Sequence, residues 1–195
     1  MEKEINLLKY IKMSYDELKN LSNEELKEFE LYLTTEKCAN TFDTYIKRNY
    51  ENKNELDINL IIEFIGNLPK LSNNASWQVA IRIFCAKLHN KLKLIILYIA
   101  EKDYSFLEIS EKISKLCQKI ILSSTPDDLD EVKRKKLIEL IKEQAIYFTM
   151  IDQLEYQIAK ERLKELGMNE KDLQKIDIIK QEQLENEKKY LQPKK

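Results

Sequence analysis

The sequence SWQVAIRIFCAKL, residues 76–88, decides the fold class of this protein. Its apolar side chains leave little room for a polar face, and a helix with this pattern lies at the centre of a fold, mostly buried. The same pattern continues to about Ala100, so the sequence predicts one long core helix from Ser76. Shorter amphipathic helices are expected to pack around it.

The composition also favours an all-helical protein. The chain has 195 residues, 43% of them hydrophobic, which is enough to bury the core of one domain or of two small ones. It contains only two glycines and three prolines. So few glycines allow almost no left-handed turns and no glycine-rich phosphate loop, which disfavours sheet proteins and nucleotide-binding α/β folds. The predicted fold class is an all-α multi-helix bundle.

Helix start and stop signals divide the rest of the N-terminal half. The clearest is Ser22-Asn-Glu-Glu25, a capping box in which the serine oxygen and the glutamate each satisfy a backbone amide. Asp57 is a second N-cap, and the helix that it starts is expected to stop at Gly66. The sequence predicts helices over about 2–13 and 23–34, from Asn40-Thr41 to the polar run 49–54, and from Asp57 to Gly66.

The C-terminal half carries two further start signals. Ser105-Phe-Leu-Glu108 is another capping box, which predicts a helix to about Leu122. Thr125 is the expected cap of the next helix, because Pro126 suits the first helical position. Nothing in the sequence interrupts the helical pattern again until Gly167.

The sequence therefore predicts a long C-terminal helical hairpin. A helix over 126–166 would be roughly 60 Å long at about 1.5 Å per residue, which exceeds what one core needs. The last helix is expected to run from the cap Asn169 to about Tyr190 and to pair with it as an antiparallel hairpin. The predicted organisation is a helical bundle over 1–100 and a helical segment over 101–195, which could share one core.

The long hairpin offers a surface for a partner helix. A helix longer than its own core can dimerise as a coiled coil, so a protein partner or a second copy of the chain is expected there. Leu140 and four further apolar residues lie on one stripe of the predicted helix. The four residues expected to bind the partner are Tyr147, Ile151, Leu154 and Ile158.

No catalytic or metal-binding motif is present in the sequence. His89 is the only histidine, and it lies in a Lys-Leu-His-Asn-Lys run that disfavours an imidazolium. Cys38, Cys85 and Cys117 are odd in number and widely spaced, which predicts buried reduced thiols instead of disulfides or a zinc site. We expect no catalytic residue, no metal and no cofactor.

The sequence also predicts a cytoplasmic protein without a membrane segment. The first residues, Met1-Glu2-Lys3-Glu4, are acidic and carry no apolar signal core, and the longest apolar run, residues 94–100, is too short to span a bilayer.

Charge is unevenly distributed along the chain. The net charge is −1, but the 37 residues from 64 to 100 contain no carboxylate. This stretch is interpreted either as a phosphate-facing surface or as a buried helix whose few exposed positions are lysines. Only four of the 33 basic residues are arginines, so the chain is thinly equipped for base-specific contacts. The basic residues of this stretch are Lys70, Arg82, Lys87, Lys91 and Lys93.

Residues 29–90 carry a series of short motifs in a characteristic order. They are Phe29-Glu-Leu-Tyr-Leu33, Asn40-Thr41-x-x-x-Tyr45, Ile62-Glu-Phe-Ile65, Ser72-Asn-Asn-Ala-Ser76 and Ile81-Arg82-Ile-Phe84. In this order they resemble the N-terminal core-binding domain of tyrosine recombinases and phage integrases, a SAM-like bundle that holds DNA from one face. The catalytic half of that family, with its Arg, His-x-x-Arg and tyrosine nucleophile, has no counterpart after residue 100.

The resemblance and the charge pattern together predict a function. They imply a non-enzymatic, DNA-associated helical protein of mobile-element or viral type, and the alternative is a helical interaction or adaptor protein that acts through its C-terminal helices. The resemblance implies DNA contacts by Thr41, Lys47, Arg48, Ser72, Asn73, Ser76, Gln78 and Arg82. The charge pattern adds Lys70, Lys87 and Lys91 to this set.

Overall fold

The computed structural model describes residues 7–50, 57–99, 104–147 and 153–191. Within these ranges no strand is present, which confirms the all-α class. The helices of the described ranges are α1 (Leu7–Ile11), α2 (Tyr15–Lys19), α3 (Asn23–Leu33), α4 (Glu36–Tyr50), α5 (Ile58–Asn67), α6 (Ala75–Ile99), α7 (Tyr104–Ile121), α8 (Glu131–Tyr147), α9 (Gln153–Glu165) and α10 (Glu170–Leu191), with a 3-10 turn at Leu68–Lys70.

The chain forms two compact units, Met1–Ile121 and Leu122–Lys195. The predicted organisation divides the chain at residue 100 into segments that could share one core, whereas α7 packs along α6 and lies in the first unit. Helix α6 also packs against α3 and α4, as expected of the central helix.

Aromatic side chains form the centre of the first unit. The Phe29 ring lies 5.9 Å from Trp77 and 6.1 Å from Phe64 between centroids. Phe42 lies 4.9 Å from Phe84. All five side chains are at most 3% exposed. Tilted ring pairs of this kind add about 0.5–1.5 kcal/mol each beyond the burial of apolar area, so these contacts fix α3, α4 and α5 around α6.

Local hydrogen bonds explain where the N-terminal helices begin. The predicted capping box is confirmed: Glu25 N donates to Ser22 Oγ at 3.2 Å, and Ser22 N donates to the Glu25 carboxylate at 2.9 Å. Asp57 caps α5 as predicted, accepting from Asn59 N at 2.9 Å. A second capping box, between Ser14 and Glu17, starts α2, a helix that was not predicted.

Helix α4 begins earlier than the sequence indicated. Its first residue is Glu36, not Asn40, because the Thr35 hydroxyl accepts a hydrogen bond from Cys38 N at 3.1 Å and so caps the first turn of α4. Cys38 is thereby carried into the core, where it is fully buried. Cys85 and Cys117 are buried as well, and all three thiols are free. Burial raises the pKa of the Cys38 and Cys85 thiols, so these two groups stay protonated at neutral pH.

The single helix predicted over 126–166 is wrong. Two separate helices, α8 and α9, pack against each other, and residues 148–152 lie outside the described ranges. Asp130 caps α8, accepting from Lys133 N at 2.8 Å. Thr125 and Pro126 therefore do not start this helix, and the Thr125 hydroxyl instead contacts Glu165 at 3.4 Å. This contact joins the end of α9 to the chain before α8, so the two helices are antiparallel.

The turn at Gly167 joins α9 to α10 as predicted. Gly167 has a φ of 94°, in the left-handed region that glycine adopts without strain. Met168 N donates to Leu163 O and Gly167 N to Lys164 O, each at 2.9 Å, the pair of bonds that defines a Schellman motif. Asn169 then caps α10, accepting from Asp172 N at 2.9 Å.

The apolar stripe of the C-terminal helices differs from the predicted one. Leu137, Ile141 and Ala145 are the buried apolar residues of α8 among those described, whereas Leu140 and Ile158 are half-buried. The side chains of three predicted partner-binding residues lie outside the described part of the structure. These are Tyr147, Ile151 and Leu154.

Candidate nucleic-acid interface

The loop over residues 68–74, before α6, is held by side chains from α6. The Trp77 indole N–H donates to Leu68 O at 2.9 Å. The Gln78 side-chain amide donates to Pro69 O at 2.8 Å and to Ser72 O at 2.7 Å. These bonds turn three carbonyl groups of the 68–74 loop toward the protein body, so the negative ends of their dipoles face away from solvent.

Tyr15 holds a fourth carbonyl of the same loop. Its hydroxyl donates to Lys70 O at 3.3 Å, while the Lys70 ammonium lies 6.0 Å from the Tyr15 ring centroid and 3.0 Å from Asn67 Oδ1. Both Lys70 and Asn73 remain exposed. The 68–74 loop therefore presents one cation, Lys70, and the amide of Asn73 to solvent, beside Asn74, which is also exposed but whose Oδ1 accepts from Ser76 N.

Ser72 and Asn74 fix the start of α6 from within the loop. Asn74 N donates to Ser72 Oγ at 3.1 Å, and Ser76 N donates to Asn74 Oδ1 at 2.8 Å. The Ser72 hydroxyl therefore serves the local turn. Ser76 is half-buried in the first turn of the helix.

Arg82 does not lie on the surface, contrary to its predicted role as an exposed phosphate contact. Its side chain is 2% exposed, and its Nη1 donates to Gln78 O at 2.8 Å and to Gln78 Oε1 at 3.1 Å. The side chain therefore folds back along α6. A phosphate cannot reach the guanidinium without displacing the packing around it.

Glu36 forms ion pairs with two lysines farther along α6. Its carboxylate lies 2.9 Å from Lys87 Nζ and 3.4 Å from Lys91 Nζ, and Lys87 also donates to Thr34 O at 2.9 Å. Hydrogen bonding from Lys87 is the main reason why the pKa of Glu36 is below its ordinary value. The carboxylate-free stretch of sequence thus receives a carboxylate from α4, which the chain order did not reveal.

The remaining predicted DNA contacts lie on α4. Thr41 is half-buried, and its hydroxyl donates to Lys37 O at 2.8 Å within the helix. Lys47 and Arg48 belong to the same helix, but their side chains lie outside the described part of the structure. Of the predicted contacts whose side chains are described, Lys70 and Asn73 alone are exposed.

A buried polar contact joins α6 to α7. His89 is 4% exposed, and its Nδ1 lies 2.7 Å from Ser114 Oγ, which is itself 8% exposed. Sequence reasoning missed this contact because the two residues are 25 positions apart. A serine–histidine pair is a familiar catalytic unit, but this one is enclosed between packed helices and does not open onto a substrate site. It satisfies polar groups in the core.

A polar cluster joins α9 to α10 in the second unit. The Tyr156 hydroxyl donates to Asp177 Oδ1, Lys160 Nζ lies 3.1 Å from the same oxygen, and Lys180 Nζ lies 3.6 Å from the Tyr156 ring centroid. Burial acts to raise the pKa of Asp177, but the hydrogen bonds from Tyr156 and Lys160 outweigh it and lower that pKa. Tyr156 and Lys180 are buried, so this cluster lies inside the contact between α9 and α10 and not on the surface.

The second unit contains a groove of about 410 Å³ beside the Gly167 turn. Its floor is apolar and its rim carries two acidic and two basic residues. Ile179, which lines the groove, is 38% exposed, and its neighbour in sequence, Ile178, is 58% exposed on α10 outside the lining. The lining residues are Ile138, Glu139, Lys142, Gly167, Met168, Asn169, Asp172, Lys175, Ile176 and Ile179.

Comparisons with protein-family models, curated proteins and solved structures found no match for this chain. The resemblance to the core-binding domain of integrases therefore stays a prediction from the sequence. Among the described residues, no group of three His, Cys, Asp or Glu side chains could hold a metal ion. None of the described helices has the length and apolar character needed to cross a membrane.

Proposed function

We propose that this chain is a non-enzymatic, DNA-associated helical protein that contacts phosphates through the 68–74 loop. The observation that carries the proposal is the orientation of this loop. Four of its carbonyls accept hydrogen bonds from Trp77, Gln78 and Tyr15, while Lys70 and Asn73 face solvent. A lysine and an amide that both face solvent suit a phosphate oxygen, which accepts hydrogen bonds from both groups.

The proposed interface is smaller than the sequence indicated. Arg82 is buried, and Glu36 holds Lys87 and Lys91. Only a few phosphate contacts are therefore expected, which corresponds to weak binding without base preference. Each contact lowers the logarithm of the binding constant by about 0.9 per tenfold rise in salt. Lys70 alone would weaken binding about 3.5-fold between about 50 and 200 mM salt, since the neutral amide of Asn73 releases no counterion.

The test is an anisotropy titration of a labelled duplex at these two salt concentrations. The Lys70→Ala variant is expected to bind more weakly and to show a salt slope lower by about 0.9 than the wild type. The matched control is Lys112→Ala, which removes the same charge from α7, where Lys112 pairs with Glu108 at 2.8 Å. Salt-insensitive binding, or an equal loss in both variants, overturns the proposal.

A second candidate function, association of two copies of the chain, is supported by the groove in the second unit. Its rim carries Glu139 and Asp172 together with Lys142 and Lys175. A surface with equal numbers of acids and bases around an apolar floor can meet a copy of itself without net repulsion. We therefore infer that a second copy would place the exposed Ile178 against this groove.

Sedimentation velocity tests the self-association candidate. The wild type is expected to form dimers at rising concentration, and Ile178→Asp is expected to stay monomeric because a carboxylate would be buried at the contact. The control is Val132→Asp, since Val132 is 64% exposed on α8 and, unlike Ile178, is not next in sequence to a residue that lines the groove. A monomeric wild type at every concentration, or equal loss of dimer in both variants, excludes this candidate.

A further inference from the structure

Arg82 and Gln78 form a chain of hydrogen bonds that ends at the 68–74 loop. Arg82 lies one helical turn after Gln78 on α6, so its guanidinium can reach both the backbone oxygen and the side-chain oxygen of Gln78, at 2.8 and 3.1 Å. The buried position of Arg82 limits the directions in which its side chain can point. Gln78 Oε1 is thereby directed toward the body of α6.

The orientation of the Gln78 amide follows from this contact. Because Oε1 accepts from Arg82, the amide nitrogen of the same group points the opposite way, where it donates to Pro69 O at 2.8 Å and to Ser72 O at 2.7 Å. A hydrogen bond from a charged donor is about twice as strong as a neutral one, and it polarises the amide that accepts it. Arg82 therefore strengthens two bonds to the loop that it does not itself make.

These two bonds bracket the exposed part of the loop. Pro69 and Ser72 lie on either side of Lys70, and Asn73 follows directly. A loop held at both ends loses little further conformational entropy when it meets a ligand. Without these bonds, Lys70 would sample many positions, and its contact with a phosphate would be weaker.

We propose that Gln78 and Arg82 are positioning residues, which act by holding Lys70 and Asn73 in one arrangement for phosphate binding. This inference rests on the proposed function. It gives the sequence-predicted residues a different role, since neither Gln78 nor Arg82 contacts the nucleic acid and both act through the 68–74 loop.

The test is a double-mutant cycle between Lys70→Ala and Gln78→Leu on the full chain, with the labelled duplex as probe. If Gln78 acts through Lys70, Gln78→Leu alone lowers the salt slope by about 0.9, and the double variant binds no more weakly than either single variant. If Gln78 is merely structural, Gln78→Leu leaves the salt slope unchanged, or the loss of binding free energy in the double variant equals the sum of the losses in the two single variants. Either of these results overturns the inference.

The role of Arg82 is tested by two substitutions, one that keeps its positive charge and one that removes it. Arg82→Lys retains a cationic donor and is expected to keep the wild-type salt slope, whereas Arg82→Met is expected to behave as Gln78→Leu does. Hydrogen exchange gives a second readout. The amide protons of Leu71 and Asn74 should exchange faster in Gln78→Leu and Arg82→Met than in the wild type, because both substitutions release the loop. If Arg82→Met does not fold, Gln78→Leu carries the test, because Gln78 is only half-buried.

The possible failures are distinguishable. A wild type that shows no salt-sensitive binding at about 50 mM salt overturns the proposed function and this inference together. A wild type that binds, but with additive effects of Lys70→Ala and Gln78→Leu, overturns the positioning role alone.

Discussion

At the scale of single residues, Glu36 changes the candidate interface most. It belongs to α4, yet its carboxylate lies within 3.4 Å of two lysine ammonium groups on α6. The carboxylate is 62% exposed, so water weakens the attraction, and a surface ion pair contributes at most about 1 kcal/mol. Its larger effect is on binding, since it keeps Lys87 and Lys91 from acting as unpaired cations.

We predict that Glu36 makes a small part of the stability pH-dependent. Its pKa is lower in the folded protein than its ordinary value of 4.5, so its ion pairs stabilise the fold above that value and are lost as the pH falls through the lowered pKa. The wild type should therefore lose about 0.5 kcal/mol more stability than Glu36→Gln between about pH 6 and pH 3. The urea concentration at the midpoint of unfolding, measured for both proteins at the two pH values, gives this difference. Identical pH dependence of the two proteins would contradict it.

At the scale of the helices, the two glycines of the chain differ in backbone conformation. Gly66 is in the last turn of α5, where an added Cβ would meet no atom within 4 Å. Gly167 also has open space around it, but its φ of 94° disfavours every residue with a side chain. Space is therefore the same at both sites, and backbone conformation alone distinguishes them.

We predict that alanine has opposite effects at these two positions. Gly66→Ala should stabilise the protein by about 0.5 kcal/mol, since alanine costs less conformational entropy in a helix. Gly167→Ala should destabilise it by about 1 kcal/mol, because the left-handed conformation becomes strained. Urea unfolding followed by far-UV circular dichroism measures both changes. Effects of the same sign would show that Gly167 does not end α9 in the left-handed conformation.

At the scale of the whole molecule, the division into two compact units has a measurable consequence. Trp77 is the only tryptophan and belongs to the first unit. We predict that Gly167→Ala shifts the unfolding transition seen by circular dichroism and leaves the transition seen by tryptophan fluorescence in place, because compact units unfold with separate stabilities. Equal shifts of both signals would mean that the two units unfold as one.

The sequence predicted the fold best where its signals were local. The buried character of residues 76–88, the capping residues Ser22 and Asp57, and the turn at Gly167 each depend on near neighbours, and the structure confirms each of them. The break between α8 and α9 was missed because residues 147–153 contain neither glycine nor proline. The start of α8 was misplaced because Asp130 is one of several aspartates that could have capped it.

The candidate interface was harder to predict because burial and pairing depend on distant parts of the chain. Residues 64–100 contain no carboxylate, but Lys87 pairs with Glu36, which lies 51 positions earlier in the sequence. The local sequence could not predict this pair. Charge counting likewise cannot tell a buried arginine from an exposed one, and Arg82 proved to be buried. Lys70 was identified correctly as exposed, since it lies in a short polar turn between helices.

The turn at Gly167 also constrains how the second unit can evolve. Residues 167–169 close the connection between α9 and α10 and form one wall of the groove, so a substitution that reshapes this wall also disturbs the fold. Glu139, Lys142 and Lys175 line the same groove from within helices, where side chains can change without altering the backbone. Divergence between orthologues that acquire different partners is therefore expected at these three positions, whereas the glycine is retained.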